Sequence, residues 1–452
     1  MLGLKRFRGG GVHPPENKDL SNHNRIINAD LPKVVKIPLQ QHAGAAAKCI
    51  VETGTEVKEG DLIGEAVGAF SANVHASIQG KVIDIVKEST VTGFESEMVV
   101  IEFEGTFQGQ IGGQPLKVSW EGQARDVILK KIRAAGIVGL GGAAFPTHIK
   151  VSPPEDKKIE LIVANGVECE PYLTCDHRLM LEKGMEIIEG LKILQRLLRV
   201  DKAIIGIENN KQDAIQYMDA LCQKEENIDI LPLKVNYPQG AEKQLIHAAL
   251  GKEVPSGGLP MDLGCVVSNV GTLLAVYEAV VFDKPITDRV VTVTGTIVKK
   301  PGNYKTKIGT TIQDLLDECG LTEEAEKVIA GGPMMGFAQQ FLDIPIVKGT
   351  SGILVLSQKE VEANEEQPCI RCGACIRVCP VYLMPCTMKE LANANLFDEV
   401  KEIGLFDCIE CGCCSYVCPS KIPLVQYFRL GKLMIKAEKH YINHKVPTIP
   451  IS

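Results

Sequence analysis

The N-terminal part of the chain carries short apolar runs that are separated by glycines. They follow a polar segment of residues 1–28, rich in Gly, Pro, His and Asn, and lie at residues 34–39, 48–51, 62–66, 81–86 and 98–103. Short runs of this kind, bounded by turn residues, are typical of β-strands in small barrels and sandwiches. The pattern therefore predicts an N-terminal arm over residues 1–28 and a small β domain over residues 29–110.

The pattern changes near residue 123, where helical periodicity begins to alternate with continuous apolar runs. Helices are predicted at residues 125–135 and 180–198, and buried strands at residues 159–164 and 202–208. Helices that alternate with buried strands are typical of an α/β domain built on a parallel sheet. We expect this Rossmann-like domain to cover residues 120–289.

Residues 290–358 return to short strands, at 290–296 and 353–356, around a helix at 311–319. This arrangement predicts a small α+β unit of β-grasp type. Residues 359–367 hold four glutamates and no aromatic residue, which is the composition of a solvated linker.

The C-terminal segment, residues 426–452, is basic. From Lys421 onward the chain has six Lys or Arg residues against one acidic residue, Glu438. Residues 425–440 can form a basic amphipathic helix, for which two placements stay open. The helix could lie against a membrane surface or an acidic partner, or it could pack over the preceding domain.

The composition describes an ordinary globular protein. Hydrophobic residues make up 45% and charged residues 23% of a 452-residue chain, which has room for several domains. The net charge of −7 gives no reason to expect nucleic acid, which needs a concentrated basic surface. The longest apolar stretch, residues 265–282, is interrupted by Asn269 and Glu278, so we expect no transmembrane helix. The N-terminus lacks the apolar core of a signal peptide, which indicates a cytoplasmic location.

Ten of the sixteen cysteines lie within residues 369–418, and eight of these form two Cys-x-x-Cys-x-x-Cys-x-x-x-Cys-Pro runs. This spacing is similar to that of the two-cluster bacterial ferredoxins, in which the fourth cysteine of each run serves the other cluster. Two structural zinc sites are the alternative, although such sites usually combine Cys-x-x-Cys pairs. We expect a helical domain with two [4Fe–4S] clusters over residues 359–425. The resemblance implies the ligand sets Cys369, Cys372, Cys375 and Cys418 for cluster 1, and Cys408, Cys411, Cys414 and Cys379 for cluster 2.

Polar and glycine-rich loops follow several apolar runs of the α/β domain. Residues 136–150 contain four glycines, and the segments 165–171, 237–243 and 268–272 place polar groups beside apolar runs. Glycines allow the backbone to approach a phosphate closely, and α/β sheets bind ligands at the carboxyl ends of their strands. A glycine-rich turn without a ligand is the alternative for the first loop. Together the loops predict a cofactor site.

These loops resemble the flavin- and NADH-binding subunit of respiratory complex I, which has matching Gly-x-Gly-Gly-Ala-x-Phe-Pro-x-x-x-Lys, Asn-Ala-Asp-Glu-x-Glu-Pro, Tyr-x-x-Gly-x-Glu and Asn-Asn-x-x-Thr motifs. The resemblance implies a phosphate cradle for FMN made by Gly139, Gly141, Gly142 and Lys150. It implies hydrogen bonds to the flavin or its ribityl chain from Asn165, Glu168, Asn269 and Thr272. Phe145, Glu170 and Glu242 then line the nicotinamide side, and Tyr237, Gly240 and Ser268 complete the motifs. Two residues depart from the family, since Val167 replaces an Asp and Ser268 an Asn.

Over nearly its full length, the chain resembles the RnfC (RsxC) family, which belongs to the Rnf ion-translocating electron-transport complex. An arm that reads Phe-Arg-Gly-Gly-Gly-Val-His-Pro-Pro-Glu-Asn-Lys from Phe7 to Lys18 precedes a lipoyl-like barrel-sandwich domain, a flavin domain, a β-grasp (SLBB) unit and the paired cysteine runs. The expected fold class is therefore multidomain α/β and α+β, ending in a ferredoxin domain.

The Rnf resemblance implies a peripheral protein on the cytoplasmic side of the cell membrane. Such a protein exchanges electrons between NADH, non-covalent FMN and two [4Fe–4S] clusters, in a ferredoxin:NAD⁺ oxidoreductase that translocates Na⁺ or H⁺. Its partners are the other Rnf membrane subunits and, through the complex, the ferredoxin-side iron–sulfur subunit. A flavin belongs between NADH and the clusters because it accepts a hydride and passes on single electrons. We expect no side chain to act as acid or base in the hydride step.

Two other interpretations stay open at this stage. A soluble flavin and iron–sulfur reductase, such as a cobalamin reductase, shares much of this build but should lack the N-terminal arm. A non-enzymatic electron conduit with a vestigial flavin pocket is the second alternative, and the Val167 departure is its only support.

Overall fold

The computed structural model describes residues 4–105, 117–361 and 365–443, and the side chains up to residue 437. The N-terminal arm runs along the other domains. Phe7 and Val12 are buried, the backbone of Val12 pairs with Tyr237, and the Gly11 amide donates to the Val378 carbonyl at 2.9 Å. The arm ends in a short strand, β1 (Ile27–Asn28). The arm therefore contacts both the α/β domain and the cysteine-rich domain.

The barrel-sandwich domain consists of two small sheets. Its strands are β2 (Val34–Pro38), β3 (Lys48–Cys49), β4 (Glu56–Val57), β5 (Leu62–Glu65), β6 (Val74–His75), β7 (Gly80–Ser89) and β8 (Glu95–Phe103). One sheet has the order β2-β8-β7-β4 and the other β3-β5-β6. Alternate residues of β2, Val35 and Ile37, have no exposed surface and face the core between the sheets. All five strands predicted from the apolar runs are present, and β4 and β6, which lie outside those runs, were not predicted.

The α/β domain is a parallel sheet of order β11-β10-β9-β12. The strands are β9 (Leu161–Asn165), β10 (Ala203–Glu208), β11 (Ile228–Leu233) and β12 (Cys265–Asn269). The helices are α1 (Arg125–Ala134), α2 (Thr147–Lys150), α3 (Cys175–Glu182), α4 (Gly184–Leu198), α5 (Gln212–Cys222), α6 (Glu242–Leu250) and α7 (Val270–Phe282). The apolar stretch of residues 265–282 is thus one buried strand followed by one buried helix.

One helix prediction is wrong. Residues 180–198 belong to two helices, α3 and α4, which are separated at Lys183, where the backbone has φ −133° and ψ 26°. A Cβ on Gly184 would lie 2.9 Å from both Leu221 and Tyr217 of α5. The close approach of α5 therefore requires glycine at the start of α4. The apolar periodicity continues across this break, so it did not reveal the change of direction.

The β-grasp unit forms a six-stranded mixed sheet of order β1-β14-β13-β17-β15-β16. It contains β13 (Asp288–Thr294), β14 (Gly302–Lys307), α8 (Ile312–Cys319), β15 (Lys327–Ala330), β16 (Phe337–Gln339) and β17 (Gly352–Leu356). The hydroxyl of Thr311 accepts a hydrogen bond from the Asp314 amide and caps α8. The edge strand β1 comes from the N-terminal arm and pairs in parallel with β14.

The cysteine-rich domain is helical, as predicted. Its helices are α9 (Ala374–Arg377), α10 (Pro385–Asn393), α11 (Phe397–Glu402), α12 (Cys413–Tyr416) and α13 (Leu424–Asn443). Gly373 and Gly412, with φ of 70° and 79°, precede α9 and α12 and turn each cysteine run into a short helix. The helix predicted over residues 425–440 is α13, whose Val425 and Phe428 are buried in the core of this domain. Of the two placements left open, α13 therefore has the second and packs over the preceding domain.

Candidate functional site

Two neighbouring strands of the parallel sheet end in asparagines. Asn165 closes β9 and Asn269 closes β12, and the two residues are directly paired in the sheet. The Asn165 side chain donates to the Gly240 carbonyl at 2.9 Å, and the Asn269 side chain donates to Asp176 Oδ2 at 2.7 Å. These contacts bring the predicted loop segments 165–171, 237–243 and 268–272 to one edge of the sheet. Ligands of open α/β sheets bind at this edge.

The glycine-rich loop between α1 and α2 is held over this edge. The Leu140 amide donates to Thr272 Oγ1 at 2.8 Å, and the Arg289 guanidinium donates to the Leu140 carbonyl at 2.5 Å. Residues 141–143 are exposed, and their amides make no hydrogen bond within the described part of the chain. Gly142 has φ 100°, a conformation that L side chains rarely adopt. Free amides in a glycine loop fit an anionic phosphate.

Lys150, at the end of α2, lies at the same edge. Its ammonium is 2.6 Å from Glu242 Oε1 and donates to the Val267 carbonyl at 2.9 Å. The resemblance assigned Lys150 to the phosphate and Glu242 to the nicotinamide side, and the structure joins the two in one half-buried ion pair. The pair fixes the direction of both side chains.

Glu168 caps the N-terminus of α3. Its carboxylate accepts from the Asp176 amide at 2.7 Å and from the His177 amide at 3.2 Å. A carboxylate at this position also interacts favourably with the helix dipole. Burial, and next the Glu168 charge, raise the pKa of Asp176 to about 7, and Oδ1 of Asp176 is buried without a hydrogen-bond partner in the described residues. An orphaned carboxyl oxygen beside Asn269 fits a site that a polar ligand completes.

Val167, the departure from the complex I motif, faces away from this edge. It has no exposed surface and belongs to a hydrophobic cluster with Leu233, Leu245 and Val267. A Cβ on Gly240 would lie 3.4 Å from Val167. The valine therefore packs in the hydrophobic core behind the loop.

Two buried lysines support the loop that carries Glu168 and Glu170. The ammonium of Lys18, from the N-terminal arm, donates to the carbonyls of Glu168, Glu170 and Leu173 at 2.9, 2.9 and 2.6 Å. Lys211 donates to the Val167 carbonyl at 2.8 Å and lies 3.6 Å from Glu208. Burial, and next the charge of Lys211, lower the pKa of Lys18. The arm is thus part of the site's scaffold.

We predict that Lys18→Met destabilises the protein and loosens flavin binding. Methionine leaves three buried carbonyls without a donor, and such a loss costs about 3 kcal/mol. Thermal unfolding and flavin retention on dilution measure the effect. Lys33→Met, at an exposed lysine, is the matched control and should behave like the wild type. Equal behaviour of the two variants would show that Lys18 does not support the loop.

Tyr237 connects the flavin-site loop to a cysteine run. Its hydroxyl donates to the Cys411 carbonyl at 2.8 Å and lies 3.2 Å from Glu170 Oε1. Glu170 Oε2 also accepts from the Met334 amide at 3.1 Å. Burial raises the pKa of Glu170 to about 7, against the opposing effect of these donors. The second cysteine run therefore packs directly on two residues predicted to line the cofactor site.

Four cysteines predicted for cluster 2 surround one small cavity. It is lined by Cys379 from the first run and by Cys408, Cys411 and Cys414 from the second. Burial, and next the other thiols of the cavity, raise the pKa of Cys414. Thiolates crowded in this way need positive charge between them, which iron supplies. The donor set fits a [4Fe–4S] cluster and supports the crossed ligand prediction.

The cysteines predicted for cluster 1 lie nearer the surface. Cys369 and Cys372 are exposed, and Cys375 is buried. The Gln367 amide donates to the Ser420 carbonyl at 2.9 Å, and this pairing brings the start of the first run beside the end of the second. Because several of these thiols are exposed or partly exposed, a partner protein can approach this ligand set closely. The four-cysteine donor set, Cys369, Cys372, Cys375 and Cys418, fits a second cluster.

Sequence reasoning missed several residues of this region. Lys18 lies in a polar arm, Asp176 lies outside the quoted motifs, and Arg289 lies in a strand of the next unit. Each reaches the site through contacts between segments more than 90 residues apart. No local pattern signals such contacts.

Family comparisons agree with this architecture. Residues 5–106 match the RnfC barrel sandwich hybrid domain, residues 132–278 the Nuo51 FMN-binding domain, residues 290–338 the SLBB domain and residues 362–419 the 4Fe-4S dicluster domain. The predicted multidomain fold class and the predicted cofactor types, FMN and [4Fe–4S] clusters, are thereby confirmed.

Curated relatives match almost the whole chain. The C subunit of the proton-translocating ferredoxin:NAD(+) oxidoreductase complex of Clostridium ljungdahlii is 47% identical over 432 residues, which cover 95% of this chain and 94% of the relative. The chain belongs to the RnfC family. The C subunit of the Na(+)-translocating complex of Acetobacterium woodii is 42% identical, with 95% and 97% covered, and that of the ion-translocating oxidoreductase complex of Rhodobacter capsulatus is 39% identical, with 94% and 82% covered. The RnfC resemblance of the sequence is therefore confirmed. Among the described residues of this RnfC family member, no helix is long and apolar enough to cross a membrane.

Proposed function

We propose that this chain exchanges electrons between NADH and a bound FMN, and between the FMN and two [4Fe–4S] clusters, within a ferredoxin:NAD⁺ oxidoreductase complex. Partner subunits of the complex couple this oxidoreductase reaction to Na⁺ or H⁺ translocation. The names of the relatives and the matches to FMN-binding and dicluster domains support this function. The arm that distinguishes this family from a soluble reductase is present and holds the flavin-site loop.

The direct contact between the cofactor-site loop and the second cysteine run carries the proposal. Tyr237 touches Glu170 on one side and the Cys411 carbonyl on the other. A single buried side chain thus separates the loop predicted to hold the nicotinamide from the loop predicted to hold cluster 2. We therefore propose that cluster 2 is the partner of the flavin and that cluster 1, with its exposed cysteines, faces the next carrier.

The residues of the site form three groups with different roles. The glycine-rich loop and Lys150 bind the phosphate, and Asn165, Asn269 and Thr272 orient the flavin. When bound, the flavin accepts two electrons from NADH and passes them on singly. Tyr237 and Glu170 exclude water between this site and cluster 2. Gly332 packs closely on Glu170, since a Cβ on Gly332 would lie 2.2 Å from the Glu170 carboxylate.

We place the chain on the cytoplasmic side of the membrane as a peripheral subunit. NADH and ferredoxin are cytoplasmic reactants, and the many cysteines with ligand spacing suit a reducing compartment. The other Rnf membrane subunits then hold the chain at the membrane, and the ferredoxin-side iron–sulfur subunit reaches it through them.

Anaerobic spectroscopy of the purified full chain tests the proposal. We expect one releasable flavin, about eight irons per chain from two cubane clusters, and bleaching of both chromophores when NADH is added. NADPH at the same concentration is the comparison and should reduce the chain far more slowly. A flavin that stays oxidised under NADH would reject the enzymatic function and favour the electron conduit with a vestigial pocket.

A further inference from the structure

An acidic side chain lies between two predicted ligands of cluster 2. Glu410 stands between Cys408 and Cys411 in the second cysteine run, and its backbone amide donates to Cys408 Sγ at 3.4 Å. The φ of Glu410 is 55°, a left-handed conformation that residues other than glycine seldom adopt. The backbone therefore bends around the Cys408 sulfur at this residue, and a carboxylate starts beside a predicted cluster ligand.

The first cysteine run has the same backbone turn with the opposite charge. Arg371 occupies the corresponding position between Cys369 and Cys372. Its amide donates to Cys369 Sγ, also at 3.4 Å, and its φ is also 55°. Arg371 is exposed, whereas Glu410 is half-buried. The two turns are therefore alike in geometry and differ in the charge that each brings to its predicted cluster.

Two cations from α13 pair with Glu410. The Lys432 ammonium donates to Glu410 Oε1 at 2.7 Å, and Arg429 Nε donates to Glu410 Oε2 at 3.1 Å. Lys432 also donates to the Cys408 carbonyl at 2.7 Å. The side chains of Lys432 and Glu410 are only 15% and 26% exposed, so solvent ions screen their charges only in part. Lys432 thus holds a positive charge directly behind a predicted ligand of cluster 2.

Contacts with the β-grasp unit fix this network in place. The Arg429 guanidinium donates to the Met335 carbonyl at 3.0 Å and lies 4.5 Å from the centre of the Phe337 ring, a cation–π contact. The charged groups are therefore held between α13, the second cysteine run and the β-grasp unit. Because their positions are fixed, each charge acts on the cluster site from a constant distance.

We propose that Lys432 raises and Glu410 lowers the reduction potential of cluster 2, and that the two charges together set how readily this cluster accepts an electron. The proposal rests on the function proposed above. The transfer moves one electron from the reduced flavin to cluster 2, with no bond formed or broken. A cation beside the cluster stabilises the added negative charge, and an anion destabilises it. Net charge and hydrogen bonding around a cluster are known to determine its potential.

Redox titration of the full chain with mediators and a chemical reductant, followed by electron paramagnetic resonance, tests the proposal. Lys432→Met should lower the midpoint potential of cluster 2, and Glu410→Gln should raise it. We expect each to change the equilibrium constant for reduction about 10-fold, which is about 59 mV for one electron. Lys432→Arg should keep the wild-type potential, and the potential of cluster 1 should not change. Cys418→Ala, which should hold cluster 2 alone, identifies the signal of that cluster.

Lys436→Met is the matched control. Lys436 is exposed one turn further along α13, so its replacement removes the same charge from the same helix and should leave both potentials unchanged. Shifts of the same sign in Lys432→Met and Glu410→Gln, or no shift in either, would overturn the proposal, because loss of a merely structural contact has no sign that follows the charge. An equal shift in Lys436→Met would also overturn it.

The titration separates this proposal from the proposed function. The chemical reductant reaches the clusters without NADH, so the potentials can be measured whether or not NADH reduces the flavin. Failure of NADH to reduce the wild-type flavin would reject the proposed function, whereas opposite shifts in the two variants would still support the roles of Lys432 and Glu410.

Discussion

Replacing Cys379 by Ala should leave a chain whose flavin is still reduced by NADH but whose remaining cluster is not. Cys379 lies in the first cysteine run, yet it lines one cavity with Cys408, Cys411 and Cys414 of the second. Loss of this ligand should remove cluster 2 and lower the iron content from about eight to about four per chain. Because Tyr237 contacts the carbonyl of Cys411, a predicted ligand of cluster 2, we expect electrons from the flavin then to lose their short path to cluster 1. Iron analysis and anaerobic optical spectra after NADH addition measure both effects.

Two further variants control this experiment. Cys418→Ala should also lose about four irons, but cluster 2 should remain and should still be bleached by NADH. Cys386→Ala, at a cysteine outside both runs, should keep the full iron content. The crossed ligand assignment would be wrong if Cys379→Ala removed the cluster of its own run and spared the other. The order of the clusters would be wrong if Cys418→Ala blocked the reduction of cluster 2.

Replacing Lys150 by Met should weaken flavin binding by about 10- to 100-fold. The ammonium contacts Glu242 and the Val267 carbonyl at the sheet edge, where we propose the phosphate binds. A hydrogen bond to a charged group contributes about 1.5–3 kcal/mol. Methionine keeps much of the side-chain volume but leaves Glu242 without its cation, so the site gains uncompensated negative charge where a phosphate should bind. Quenching of FMN fluorescence during titration of the flavin-depleted chain measures the dissociation constant.

Lys157→Met is the matched control for this variant. Lys157 also forms an ion pair, at 2.9 Å with Asp262, and its side-chain exposure is similar. Asp262 precedes β12, whose opposite end carries Asn269, so this pair lies at the other end of the strand and we expect unchanged flavin affinity. If Lys150→Met bound FMN as tightly as Lys157→Met, the assignment of Lys150 to the phosphate would be rejected.

Short-range patterns in the sequence were sufficient for most of the fold. Apolar runs located the strands of the barrel-sandwich domain, and the alternation of helix and strand indicated the parallel sheet. The break at Lys183 was missed because it depends on how closely α5 approaches Gly184, and packing of this kind leaves no mark on the apolar period. The two-residue strands β1, β4 and β6 lie outside the apolar runs that located the other strands.

The candidate site shows the same division between local and long-range information. Motifs identified Asn165, Asn269 and the glycine-rich loop, because each lies directly at a strand or helix end. Lys18 could not be found in this way, since its role depends on contacts with residues 150 or more positions away. Nothing in the local pattern indicated that Val167 packs into a hydrophobic cluster.

Rapid mixing of the oxidised chain with NADH, followed by freeze-quenching and spectroscopy of flavin and clusters, tests the central claim most directly. We predict that the flavin is reduced first, that cluster 2 follows, and that cluster 1 is reduced last. The Cys379→Ala and Cys418→Ala variants identify the two cluster signals. Reduction of cluster 1 before cluster 2, or of either cluster without prior reduction of the flavin, would contradict the proposed path through Tyr237 and Cys411.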